Sequence, residues 1–160
     1  MVMINKIHFV ASLSLIIGVI LNLLPLPGIL SSCKPPILLL ILIYWSLAFP
    51  TVISLTYAFT TGLIMDVLLI TPLGYNALCF TVTIYLILLY YPQIRLQSSW
   101  NKMVSLLIIL IPYFIMSTAI NNLLNINYNI FNVILSIIIS IIIWPTLFKM
   151  LRFVRQKYTT

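Results

Sequence analysis

The stretch Ile130–Phe148, IFNVILSIIISIIIWPTLF, decides the class of fold, because it is long, apolar and free of charged side chains. About 20 such residues are needed to cross the hydrocarbon core of a bilayer as a helix. Similar apolar runs precede it along the chain. We therefore predict an all-α integral membrane protein, a bundle of six transmembrane helices. The predicted spans are residues 7–24, 36–50, 52–70, 74–91, 103–124 and 130–148.

The composition supports the same class, since 63% of the 160 residues are hydrophobic and only 6% are charged. A soluble domain carries roughly a quarter charged residues, so lipid must surround most of this chain. We expect a single transmembrane domain. The eight Lys or Arg residues lie at the ends of apolar runs, so the basic excess predicts membrane orientation and no nucleic acid partner. No His and Cys cluster suggests a metal, and no cofactor is predicted.

The second span, residues 36–50, is the shortest, and its prediction leaves alternatives open. A helix from Pro36 to Phe49 rises only about 21 Å, against a hydrocarbon core of about 30 Å. The helix could continue through Pro50 with a kink, or it could thin the bilayer. A re-entrant hairpin is the remaining alternative.

The basic residues predict the orientation, because Lys and Arg collect on the cytoplasmic side of a membrane. With the N-terminus in the cytoplasm, the outer segments hold Lys34 alone. Both termini are then cytoplasmic, and residues 149–160 form a basic cytoplasmic tail. Trp100 and Trp144 fall near the inner interface, where aromatic belts form. The predicted cytoplasmic basic residues are Lys6, Arg95, Lys102, Lys149, Arg152, Arg155 and Lys157.

Asp66 is the only acidic residue and lies inside the third span. A charge in hydrocarbon is costly, so Asp66 should face protein or water and have a partner. Ala58, Gly62 and Asp66 are spaced four apart and share a helix face, on which small residues let another helix approach closely. We predict a polar cluster at the outer end of the bundle, with Lys34 and Asp66 as an ion pair. The candidate cluster is Lys34, Asp66, Asn76, Asn121 and Asn122.

This cluster has two open interpretations, a ligand or partner site and an internal network that fixes helix packing. The neighbouring sequence Thr71-Pro72-Leu73-Gly74 predicts a tight turn, with Pro72 and Gly74 as its turn-forming residues. One Asp and one His are too few for a proton relay or for acid–base catalysis. We therefore expect a protein without enzymatic activity.

The basic tail contains Lys149, Arg152, Arg155 and Lys157, largely at helical spacing. Such a segment could be a surface helix that binds anionic membrane lipid or an acidic cytoplasmic partner. A plain anchor of topology is the other interpretation.

Short motifs follow one another in order along nearly the whole chain. They are KPP at 34–36, YWSLA at 44–48, GLIMDVL at 62–68, TPLGYNAL at 71–78 and WPTLF at 144–148. This ordered set resembles the MreD family of bacterial rod shape-determining proteins, in its proteobacterial form. By that resemblance, the family's Asp motif falls on Asp66 and its turn on Pro72, Leu73 and Gly74.

The resemblance implies a multi-pass protein of the bacterial inner membrane that acts as a scaffold or regulator of cell elongation and lateral peptidoglycan synthesis. It implies MreC, a protein with one transmembrane helix, as partner. MreB, RodA and a penicillin-binding transpeptidase are further partners of the family. No small-molecule substrate is expected.

The main rival is a substrate-binding subunit of a vitamin transporter. Such subunits are also small six-helix bundles, similar in fold to the MreD family, and they bind their ligand near the outer side. A vitamin site needs several convergent polar and aromatic groups in a pocket. A ligand retained through purification would favour the transporter. A lipid-modifying enzyme is a third, poorly supported interpretation.

Overall fold

The computed structural model describes residues 2–24, 34–97, 99–124 and 129–159, and every regular element within them is an α-helix. The predicted all-α class is therefore confirmed. Helices suit this apolar chain because a segment in lipid must satisfy its backbone hydrogen bonds internally. The helices are α1 (Val2–Leu23), α2 (Ile37–Ala48), α3 (Leu55–Leu69), α4 (Tyr75–Leu96), α5 (Ser99–Leu123) and α6 (Ile130–Thr159).

The short second helix, α2, lies at the centre of the bundle. Its side chains from Leu38 to Ser46 are all buried, and it packs against α1, α4 and α6. With 12 residues, α2 is about 18 Å long, against a hydrocarbon core of about 30 Å. Protein rather than lipid surrounds it, so its length need not match the bilayer. The helix is a single segment that ends at Ala48, and Pro50 lies in the connection to α3.

α1 and α2 are antiparallel and pack closely at two levels. A Cβ atom on Gly18 would lie 2.7 Å from Ile41 Cδ1, so the bare glycine makes room for the side chains of α2. Nearer the start of α1, the indole Nε1 of Trp45 donates a hydrogen bond to Ser14 Oγ over 2.7 Å. A buried indole N–H needs such a partner.

Side-chain contacts define the two ends of the bundle. His8 Nδ1 and the Tyr57 hydroxyl are 2.6 Å apart and join the start of α1 to the start of α3. Tyr44 packs edge-on against Phe148, with ring centroids 5.2 Å apart, and joins α2 to the second half of α6. We call this end, where α1 begins and α6 finishes, the tail end. The opposite end, where α3 turns into α4, is the turn end.

The lengths and composition of the helices fit an integral membrane protein. Among the described residues, three helical segments are long and apolar enough to cross a membrane. The exact number of six spans stays a prediction. The three segments are Lys6–Leu23, Tyr75–Ile94 and Ile130–Lys157, and the shorter apolar helices are Ile37–Ala48, Leu55–Leu69 and Ile108–Leu123.

The last helix extends beyond the predicted sixth span. α6 continues without a break to Thr159, so the basic residues from Lys149 onwards belong to the same helix as the apolar run. Trp144 is only 4% exposed and packs against Phe148 inside the bundle, and its level near the inner interface stays a prediction. The side chains of Arg95, Trp100 and Lys102 lie outside the described part of the chain.

Candidate functional site at the turn between α3 and α4

The backbone between α3 and α4 reverses direction within a few residues. α3 ends at Leu69, and Ile70 takes the left-handed conformation, with φ 56° and ψ 35°. The N–H of Ile70 and the N–H of Thr71 both donate to the carbonyl of Asp66, which satisfies backbone groups that the helix end leaves open. Gly74, with φ 99°, then begins α4. Ile70 after α3 and Gly74 before α4 both take a left-handed conformation, and this makes the tight reversal possible.

The side chain of Asp66 fills the inside of this turn and is fully buried. Its Oδ1 accepts hydrogen bonds from Thr71 Oγ1 at 2.9 Å, from the backbone N–H of Asn76 at 2.8 Å and from Asn76 Nδ2 at 2.9 Å. Its Oδ2 accepts from the backbone N–H of Gly74 at 2.9 Å and, more weakly, from that of Ala77 at 3.4 Å. The carboxylate is therefore surrounded by donors on both oxygens.

The position of Asp66 explains how a carboxylate can be buried in this bundle. The first N–H groups of a helix have no partner within the helix and carry partial positive charge. Asp66 accepts from those N–H groups of α4 and does for α4 what an N-cap side chain usually does. The helix dipole and the hydrogen bonds thus compensate the charge without a basic side chain.

Small residues bring α3 and α4 together below the carboxylate. A Cβ atom on Gly62 would lie 2.4 Å from Ala77 Cα and 2.6 Å from its backbone N, so only glycine fits at this position. Ala58, one turn away, is fully buried. α3 and α4 pack against each other more extensively than any other pair of helices. The face of Ala58, Gly62 and Asp66 therefore receives α4, as its four-residue spacing suggested.

The network reaches a third helix through Tyr75, the first residue of α4. The Tyr75 hydroxyl and Ser117 Oγ of α5 are 2.6 Å apart. Asn121, one helical turn further along α5, lies close enough to influence the Tyr75 hydroxyl. The turn end thus links α3, α4 and α5 through polar groups.

The structure brings together only part of the predicted cluster. Asp66 and Asn76 are in direct contact, and Asn121 lies near Tyr75, the residue that precedes Asn76. Asn122 is exposed. The predicted ion pair is wrong among the described residues, because Lys34 Nζ donates to the carbonyl of Leu24 at 2.9 Å. The backbone N–H groups of α4 replace the ammonium group that sequence reasoning assigned to Asp66.

Sequence reasoning missed Thr71 and Tyr75 as members of the network. Thr71 donates to Asp66, and Asn76 Nδ2 also lies 3.4 Å from Thr71 Oγ1. The signal for Thr71 was available, since a Thr that follows an Asp by five residues across a helix end is close enough to donate to it. Tyr75 carried no such signal, because its partner Ser117 is far away in the sequence.

This arrangement stabilises the hairpin between α3 and α4. The carboxylate oxygens are occupied by donors of the turn and shielded from the surroundings. Pro72 and Leu73 are exposed at the tip of the turn, and Leu73 is 76% exposed. The geometry therefore favours packing of the hairpin over binding of a ligand by Asp66.

Comparison with known proteins agrees with this picture of a membrane bundle. A family model described as "rod shape-determining protein MreD" matches residues 3–154. The chain belongs to the MreD family. It is 32% identical over 144 residues to the rod shape-determining protein MreD of Haemophilus influenzae, a match that covers 89% of this chain and 88% of the relative. No solved structure matches the chain.

The match to the MreD family includes most or all of each of the six helices and the whole α3–α4 turn. The predicted family is therefore confirmed, and the chain is a membrane protein with a role in the determination of rod shape.

Proposed function

We propose that the chain is a non-catalytic scaffold or regulator of the complex that elongates rod-shaped cells and inserts lateral peptidoglycan. One observation carries this proposal. The only acidic side chain of the sequence, Asp66, is fully buried and accepts its hydrogen bonds from the α3–α4 turn. General acid–base catalysis needs a titratable group beside the substrate. Because the hydrogen bonds of this carboxylate are all made within the turn, we infer that the protein acts through the surfaces on which other proteins pack.

MreC is the partner that we propose for direct contact, with MreB, RodA and a penicillin-binding transpeptidase in the same complex. Ile134, Ile138 and Ile142 recur every fourth residue on α6 and are 51%, 46% and 67% exposed. Ser136 and Ser140 lie on the opposite, buried face. Helices associate in lipid by close packing of complementary surfaces. The Ile stripe of α6 is a regular surface on which the single transmembrane helix of MreC can pack.

The proposed location is the bacterial inner membrane, with the tail end in the cytoplasm. Lys6 at the start of α1 and Lys149 and Arg152 near the finish of α6 are all exposed at this end. Lys34 belongs to the other end, before α2. This distribution supports cytoplasmic termini, because Lys and Arg are retained on the cytoplasmic side during insertion.

The test is depletion of this protein in its rod-shaped host, followed by microscopy in rich medium. We expect rods to swell into spheres and to recover on re-expression, and we expect MreC to copurify with the protein. Rods that keep their shape after the protein has disappeared would exclude the proposal. Copurification of a small molecule at one per chain, together with normal rods, would instead support the vitamin-binding subunit.

A further inference from the structure

The last part of α6 has two different sides. Leu151 is only 7% exposed, and Val154 and Arg155 are half-buried, so these side chains point towards the bundle. Met150 and Phe153 are 68% and 66% exposed. We call the outward side the tail face. It consists of Lys149, Met150, Arg152, Phe153, Gln156 and Lys157, all of which are exposed.

The length of α6 places the tail face at a membrane boundary. α6 contains 30 residues and is therefore about 45 Å long, whereas the hydrocarbon core is about 30 Å thick. Ile130 begins the helix at the turn end, and Lys149 follows about 28 Å further along the axis. Lys149 and Arg152 thus lie where hydrocarbon gives way to head groups.

The tail face is basic, and the chain offers it little acidic compensation of its own. Asp66, the one acidic side chain of the sequence, is buried at the turn end. Lys149 and Arg152 are exposed on α6, and Lys6 is exposed at the start of α1, the helix that packs beside α6. In the described part of the chain no acidic side chain lies at this end, so an anionic group from outside can compensate Lys149, Arg152 and Lys6.

The apolar members of the tail face decide the nature of that partner. Phe153 lies one helical turn from Lys149 on the outward side of α6, Met150 flanks this side, and the two apolar residues present about two thirds of their surface. An acidic peptide that bound by charge alone would leave these two large apolar side chains exposed to water. A helix that mixes cations with apolar side chains fits the interface of an anionic membrane, with the apolar groups among acyl chains and the cations at phosphates.

We propose that the tail face binds anionic phospholipid, with Lys149 and Arg152 at the phosphate groups and with Met150 and Phe153 inserted beside the acyl chains. Arg155 is excluded from this site. It is half-buried on the inward side of α6, whereas Arg152 is exposed, although the charges of both arginines reach Tyr44 of α2. The four basic residues of the tail therefore divide into a lipid-facing group and one inward-facing arginine.

The experiment measures lipids retained by the purified full-length protein. Protein in mild detergent is equilibrated with equal amounts of phosphatidylglycerol and phosphatidylcholine, and bound lipids are counted by native mass spectrometry. We expect wild type to prefer phosphatidylglycerol. The K149Q/R152Q variant should reduce that preference about thirtyfold, because each of the two cations near a membrane surface contributes on the order of 1 kcal/mol. The K149R/R152K variant keeps both charges and should keep the preference.

A second variant, M150S/F153S, keeps every charge and therefore leaves the Lys and Arg signal for membrane orientation unchanged. We expect it to retain less than about half of the lipid of wild type, because the inserted apolar contacts are lost. Wild type without a preference for phosphatidylglycerol would overturn the proposal, as would full lipid retention by M150S/F153S. Binding of a polyglutamate peptide in preference to phosphatidylglycerol would overturn it in favour of an acidic protein partner.

Discussion

Asp66 and Asn76 are joined by two hydrogen bonds to one oxygen atom. Asp66 Oδ1 accepts from the backbone N–H of Asn76 at 2.8 Å and from Asn76 Nδ2 at 2.9 Å. Asp66 belongs to the last turn of α3, and Asn76 belongs to the first turn of α4. The two residues therefore close the hairpin from inside, and the cap of α4 comes from the helix before it.

Replacement of Asp66 by Asn should destabilise the protein. The amide group has one acceptor oxygen, and its NH₂ group would face the N–H donors of Gly74 or Asn76. At least one buried donor would lose its partner, at a cost of about 2–4 kcal/mol in the free energy of unfolding. Unfolding of the purified variant by sodium dodecyl sulfate in mixed micelles measures this loss.

The matched control for Asp66→Asn is Thr118→Val. Thr118 is a partly exposed residue of α5, and its hydroxyl donates within its own helix to the Ile115 carbonyl. This change should alter the free energy of unfolding by less than about 0.5 kcal/mol. If Asp66→Asn were as stable as wild type and yet failed to restore rod shape, Asp66 would be a partner site and not a packing group.

Gly62→Ala should be far more harmful than Gly18→Ala, although both changes add one methyl group. The new Cβ at Gly62 would meet the backbone of Ala77, which cannot move without separating α3 from α4. The new Cβ at Gly18 would meet the end of the Ile41 side chain, which can rotate. We expect a loss of about 3 kcal/mol or more for Gly62→Ala and about 1 kcal/mol for Gly18→Ala, by the same unfolding measurement. Equal losses at the two sites would contradict the close contact of α3 with α4.

The sequence predicted those features that depend on local pattern. The spacing of Ala58, Gly62 and Asp66 identified the face that α4 covers, because residues four apart lie on one side of a helix. Pro72 and Gly74 marked the reversal of the chain, since they fit the backbone conformations of a tight turn.

The features that the sequence did not predict depend on which helices are neighbours. Lys34 was paired with Asp66 because opposite charges attract, but the carboxylate accepts hydrogen bonds from backbone N–H groups at the start of α4 instead. Trp144 packs against Phe148 inside the bundle, and no local pattern indicated that contact. The second helix was predicted to be short, but its central position, surrounded by protein, was not predicted. None of these arrangements has a local signature in sequence.

Trp45 and Ser14 should be energetically coupled. Ser14→Ala leaves the buried Trp45 indole N–H without its acceptor, whereas in Trp45→Phe that donor is already absent. Ser14→Ala should therefore cost more in wild type than in the Trp45→Phe background. We expect a coupling of about 1 kcal/mol in a double-mutant cycle, within the range measured for hydrogen bonds in membrane proteins. Additive losses would show that the 2.7 Å contact contributes nothing to stability.

Lys34→Gln tests whether Asp66 is held by a basic side chain. Lys34 Nζ donates to the carbonyl of Leu24 at an exposed position, so the variant should change the free energy of unfolding by less than about 0.5 kcal/mol. Because Asp66 takes its hydrogen bonds from the turn, the losses in Lys34→Gln and Asp66→Asn should add within about 0.5 kcal/mol in the double variant. A coupling above about 1 kcal/mol would show that Lys34 and Asp66 form an ion pair. The N–H groups of α4 would then not be the main compensation of the buried charge.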